Sequence, residues 1–165
     1  AVLGDICTNS SCPVMCAGSR VTYKWADDEH PEPRSVTAPE YMRLLMTQAY
    51  DLLTDERVIP QDESAFQPGF VPAVQKLLRR FLRVYTHTYT SHFDCMQQHK
   101  AIAHLNCSFK HFMWFVREFS LVGEKDFAPI GTLVQTFTAQ GGTRPPDVAA
   151  REPAIPEASS AAEAK

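Results

Sequence analysis

Two residue pairs with matched spacing carry most of the chemistry this chain can offer. Cys7 and Cys12 are separated by four residues, and so are His87 and His92. Two thiolates and two imidazoles form a donor set suited to tetrahedral, structural zinc. Spacing alone leaves the matter open. Residues five apart on an ideal helix diverge by about 140° and sit roughly 7.5 Å apart along its axis, so His87 and His92 do not share a face. To meet one ion, a side chain must lean across, or the helix must widen or bend near Thr88 to Ser91. Cys16, and Cys95 three residues from His92, compete as ligands, and buried histidines with free thiols would use the same residues without a metal. His99 lies about 10.5 Å along the helix from His92, too far for the same ion.

Lys76, Arg79, Arg80 and Arg83 make a second constellation. Arg79 and Arg83 are four apart and stack on one helical face, while Lys76 and Arg80 stack on the neighbouring one. Four cations this close repel one another unless an anion or carboxylates sit among them. Guanidinium forks match phosphate oxygens two at a time, which makes a phosphoryl group the natural guest. A solvated basic face, paired with Asp or Glu from the preceding helix, explains the residues equally simply, and spacing by itself favours that reading.

Enzymatic signatures are missing from the sequence. There is no Gly-rich phosphate loop, nucleophile elbow or two-His zinc helix with an intervening Glu. Cys95 beside His92 is a pairing that arises readily by chance on a helix. The expectation is a protein that is not an enzyme.

The elements that must position these groups follow from periodicity. Val71 to Gln98 contains Pro72 in its first turn and no other Pro or Gly. Apolar residues at Val74, Leu77, Leu78, Phe81, Val84, Tyr85, Tyr89, Phe93 and Met96 recur at three-and-four spacing. This predicts one continuous helix, roughly 40 Å long, as the centre of the fold. Before it, Val21, Tyr23 and Trp25 alternate with polar residues as a strand, and Pro33 to Thr37 returns as a ragged second strand. Thr37 and Pro39 mark the start of a helix reaching about Leu53, with Tyr41, Leu44, Leu45 and Leu52 inward. Leu105 to Leu121 is apolar on most sides and reads as a helix buried between others. Gly123 precedes a last amphipathic stretch, Phe127 to Phe137, whose helix Pro129 kinks or delays. From Ala139 on, Gly, Pro, Ala and Glu replace large apolar groups, so 139–165 is expected to be disordered.

The 165 residues fit one domain, 1–138, with that tail. A net charge of −3 gives no bulk attraction to nucleic acid or acidic membranes, and no apolar run is long enough for membrane insertion. Residues 1–18, with three of the five cysteines, are too short and polar to fold alone. The start lacks the pattern of a signal peptide, which points to a cytoplasmic or nuclear setting and to thiols or metal ligands rather than disulfides.

Five stretches then carry a resemblance. CPVMCAG at 12–18, YKWAD at 23–27, APEYMRLLM at 38–46, RRFLRVYTHTYTSHFD at 79–94 and AHLNCSFKHFMWFVREFSL at 103–121 resemble successive signatures of the Mob/phocein family of kinase activators, over about residues 2–137. CPVM and RVYTH resemble most the subgroup that partners NDR/LATS-type kinases. The resemblance implies an all-α fold: a four-helix-type bundle with a short β-hairpin and a structural zinc site, here without the family's first helices. It implies Cys7, Cys12, His87 and His92 as the zinc ligands. It also implies that Arg79, Arg80 and Arg83 form a triad binding phosphopeptides of an upstream Ste20/MST-type (Hippo) kinase. The first of the three is a lysine in the usual pattern. The implied function is a non-catalytic adaptor and co-activator of an NDR/LATS-type protein kinase. The alternative is a phocein-like, zinc-stabilised scaffold in phosphatase–kinase or vesicle-traffic assemblies. Gly123 stands where the family commonly has a capping Asp, which weakens the start of the last helix by up to about 1 kcal/mol.

Overall fold

A computed structural model describes residues 2–60 and 66–140. The element order is α1 (Val2–Ile6), β1 (Cys16–Ala17), β2 (Val21–Thr22), α2 (Ala38–Thr54), α3 (Phe70–Ser91), α4 (Phe93–Gln98), α5 (Ile102–Glu118), a 3₁₀ helix (Glu124–Ile130) and α6 (Gly131–Ala139). The fold is the expected helical bundle with one small antiparallel hairpin. The expected tail lies outside the described residues beyond Gln140, as do Asp62 and Glu63 of the link before α3.

Helix α3 is central because it is apolar on two sides. Leu77, Phe81 and Val84 pack with α2 and the amino-terminal segment, in a cluster that includes Met15, Trp25, Tyr41 and Leu45. Leu78, Leu82, Tyr85 and Tyr89 pack with α5, the 3₁₀ helix and α6, around Phe109, Met113, Val116, Phe127 and Val134. Leu82 is 1% exposed and is absent from the single stripe the periodicity predicts. A helix sandwiched between two half-cores needs two stripes, and Leu82 belongs to the second.

The sequence expectation of one helix from Val71 to Gln98 needs correction. The helix stops at Ser91 and restarts at Phe93, with His92 between them at φ −130°, ψ 12°. Three alternating threonines explain the break. Thr86, Thr88 and Thr90 each turn a hydroxyl back to the carbonyl four residues earlier, at 2.8, 2.9 and 2.8 Å, a bond that competes with the helical ladder and bends it. Phe93, expected in the core stripe, is consequently exposed.

The hairpin also differs in its partners. Its named strands are Cys16–Ala17 and Val21–Thr22, in the register Cys16↔Thr22 and Ala17↔Val21. Gly18 at φ +62° opens the turn, a conformation that suits glycine. The expected pairing with 33–37 survives only as the bridge Trp25↔Arg34, closed by two 2.8 Å backbone bonds. Val36 gives its carbonyl to Met15 instead. Helix α2 begins as predicted, with the Thr37 hydroxyl accepting from the Glu40 N–H at 3.3 Å and Pro39 in the first turn. Helix α5 is buried along one side only: Phe109, Met113 and Val116 are enclosed, whereas Phe115 and Phe119 face solvent. Pro129 holds residues up to Ile130 in 3₁₀ geometry, and α6 proper starts at Gly131. Gly123 lacks a capping side chain, but the Asp126 carboxylate accepts from the Gly123 N–H at 3.2 Å.

Candidate metal centre and its cationic neighbour

The amino-terminal segment is tied down by polar bonds that aim its two thiols inward. Ser11 and Thr8 bond reciprocally, the Thr8 N–H to Ser11 Oγ at 2.9 Å and the Ser11 N–H to Thr8 Oγ1 at 3.1 Å. The Ser11 hydroxyl also reaches the Ile6 carbonyl at 3.0 Å. Cys12 accepts from the Ala38 N–H through its carbonyl at 3.0 Å, and Asn9 accepts from the Thr37 hydroxyl at 2.7 Å. Both bonds anchor the loop to the start of α2.

On the opposite side, the break after Ser91 swings His92 toward His87. Their ring centroids lie 5.0 Å apart at 77°. Cys7 Sγ is 3.6 Å from His87 Nε2, and Cys12 Sγ is 3.2 Å from His92 Nε2. All four ligand atoms lie within 4.8 Å of one another and all four residues are buried. A tetrahedral zinc with the usual Zn–S and Zn–N lengths has S···N edges of about 3.6 Å, so the donor set and its spacing fit such an ion. The break supplies the bend that the five-residue spacing demands.

The surroundings favour the same reading. His87 donates from Nδ1 to the Cys16 carbonyl at 2.9 Å, which leaves Nε2 unprotonated and turned toward the thiols. Burial lowers the pKa of His87 against the opposing pull of that carbonyl, and burial and then the charge of His87 lower that of His92. Both imidazoles are therefore kept neutral, as metal ligation requires. The Cys7 thiol is pushed up to about 12, first by burial and then by its hydrogen bond with Cys12 and the charges of Cys12 and Cys16. A divalent cation is the group that would make two buried thiolates tolerable. The rivals fall outside the cluster: Cys16 Sγ lies 4.0 Å from His87, on its Nδ1 side, and Cys95 does not join the four.

The three arginines have three different environments. Arg80 is 6% exposed, with its guanidinium 3.8 Å above the Trp25 ring. It donates to Gln48 Oε1 and to the Ala26 carbonyl, and burial lowers its pKa. Arg83 is half-buried, donates to the Tyr41 hydroxyl at 3.1 Å, and sits 5.2 Å from the Tyr23 ring centroid. Arg79 is exposed. Among the described residues, none of the three has a carboxylate within ion-pair distance, so the paired-face reading does not hold for the helix at 38–54. Arg79 and Arg83 remain on one face, and Arg80 points instead into the seam between α2 and the Trp25–Ala26 segment. Exposed Lys76 lines a separate cleft of about 490 Å³ with Trp25, Asp27, Gln48, Asp51 and Asp55. Sequence reasoning missed Trp25, Gln48, Tyr23 and Tyr41 as partners of the arginines. Their contacts span 32 to 54 residues for Arg80 and 42 for Arg83–Tyr41, and no local pattern announces them.

The profile of the Mob1/phocein family matches residues 1–130. The chain is 40% identical over 139 residues to MOB kinase activator-like 1B of Arabidopsis thaliana, covering 83% of this chain and 65% of that protein. It is 42% identical over 143 residues to MOB kinase activator-like 2A of the same plant, covering 85% and 66%. MOB kinase activator 3C of Homo sapiens is 38% identical over 135 residues, covering 81% and 62%. The chain thus spans just under two thirds of the length of each.

Proposed function

Because the chain belongs to the Mob1/phocein family, we propose that it is a non-catalytic adaptor that engages a protein kinase, its fold clipped by zinc. The relatives are named kinase activators, which supports a partner of the kinase class. The finer reading is an NDR/LATS-type kinase as the activated partner, with a phosphothreonine segment of an upstream Ste20/Hippo-type kinase as the docked ligand, in the cytoplasm or nucleus.

One observation carries the phosphopeptide reading: Arg79 and Arg83 share a face of α3 with no carboxylate partner among the described residues. Tyr41 and Tyr23 steady the Arg83 guanidinium from behind, so its free edge is pre-oriented toward an incoming anion. Arg80 acts from beneath, holding α2 and the Trp25–Ala26 segment against α3 and adding positive charge without direct exposure. Zinc would bind to Cys7, Cys12, His87 and His92 and supply cross-linking of the amino-terminal segment to α3. With four protein ligands, no position is left for a reacting water.

Titration with matched peptides tests this reading. A phosphothreonine peptide should bind at least about tenfold more tightly than its unphosphorylated twin, and Arg79→Ala with Arg83→Ala should abolish the difference. Equal affinities for the two peptides would end the proposal. Pulldown with the amino-terminal region of an NDR/LATS-type kinase separates the activator from the phocein-like scaffold, which would not be retained.

A further inference from the structure

The metal clip has an open side, and that side carries two thiols the clip does not use. A half-open cleft of about 430 Å³ is lined by Cys12 and His92 of the clip and also by Cys16 and Cys95. Both extra cysteines are half-buried and free. Cys7 and His87 do not line this cleft, and His87 is 0% exposed. The clip therefore has an outer pair, Cys12 and His92, and an inner pair, Cys7 and His87. Four soft or borderline donors, Cys12, His92, Cys16 and Cys95, therefore border the one cleft.

We propose that Cys16 and Cys95 form a thiol port through which zinc, or another thiophilic divalent cation, enters and leaves the clip. The proposal rests on the clip holding a metal and adds a kinetic role for two residues outside it. Both thiols border the cleft without belonging to the ligand set. Cys16 Sγ is 4.0 Å from the Nδ1 side of His87, and neither thiol joins the four mutually close ligand atoms. Sulfur donors attract zinc, and an ion shared briefly with a port thiol can leave solvent one ligand at a time. Each port thiol gives up its proton to water when it takes the ion and regains one when it passes the ion on. Net proton release therefore belongs to Cys7 and Cys12 alone, and no electrons move.

A port lowers the barrier in both directions and leaves the equilibrium alone, whereas a merely structural contact to the ligands shifts the equilibrium. The test uses the full chain with zinc alone as the probe. Release is followed by stopped-flow transfer to a chromogenic chelator, loading by the thiolate-to-cobalt absorption of the cobalt-substituted site, and affinity by competition. Zinc content of one per chain establishes the clip independently. The expected result for Cys16→Ser with Cys95→Ser is loading and release slowed together on the order of tenfold, as loss of about 1.4 kcal/mol of barrier lowering gives. Affinity should be unchanged. Cys107→Ser, an exposed thiol away from the cleft, should leave both rates alone. Capping the reachable thiols of the zinc-loaded Cys107→Ser chain with methyl methanethiosulfonate should slow release likewise, without any demand on folding. Rates matching the wild type, equal slowing by Cys107→Ser, or a loss of affinity with loading unchanged would each overturn the port.

Discussion

Arg80→Ala separates the structural arginine from the binding ones. The side chain is 6% exposed, donates to Gln48 and the Ala26 carbonyl, and stacks on Trp25 at 3.8 Å. Removing it orphans two acceptors, at about 1–3 kcal/mol each, and loses a partly desolvated cation–π contact of about 1–2 kcal/mol. Relief of the burial that lowers its pKa offsets part of this. The expected loss is about 3–5 kcal/mol, a fall in Tm of roughly 10–15 °C for a domain of this size. Arg80→Lys keeps the charge but lacks the fork that reaches both acceptors, so it should recover less than half. Arg79→Ala, at an exposed position, should change stability by no more than about 0.5 kcal/mol while weakening the phosphopeptide. Thermal melts of the three zinc-loaded variants decide the matter. An Arg80→Ala melt within about 2 °C of wild type, or an equal fall for Arg79→Ala, would refute the assignment.

Metal-free protein should be most stable between pH 6.5 and 9. Burial holds His87 and His92 below the usual 6.5, so the unfolded chain binds more protons and stability drops as pH falls below 6.5. Cys7 rises from 9.0 to about 12, so its contribution is present below pH 9 and is lost as pH rises through that interval. Urea midpoints across pH would show a dome; a flat profile would contradict it. Gly123→Ser, at φ −76° and ψ 149°, should add a capping hydroxyl and raise stability by up to about 1 kcal/mol, read by denaturant melts. Leu82→Ala should cost about 2–5 kcal/mol in the same assay, because Leu82 is the most enclosed apolar side chain of α3.

The helices and the clip were legible in sequence for different reasons. Periodicity marks α2 by a single apolar stripe and α5 by apolar residues on most sides, and Thr37 with Pro39 fixes one start by local chemistry. The break at His92 was legible only as a requirement of the His87–His92 spacing. The continuous pattern through Phe93 hides it, since back-bonding threonines leave no gap in hydrophobicity. The four clip residues emerge from donor chemistry together with family likeness; spacing alone left Cys16 and Cys95 in contention. Arg80 was placed with the exposed cations because charge suggests solvent, whereas Trp25 and Gln48, distant in sequence, provide it with a buried berth. The partial exposure of α5 was also hidden: aromatic residues around a helix do not say which side meets a neighbour.

Cys7, Cys12, His87 and His92, close enough to hold one ion, would join the amino-terminal segment to α3 through zinc. X-ray absorption of the zinc-loaded chain measures it directly. The expected shell is two sulfurs at about 2.3 Å and two nitrogens at about 2.0–2.1 Å, with one zinc per chain. A shell of nitrogen and oxygen only, or three protein ligands and a water, would contradict it.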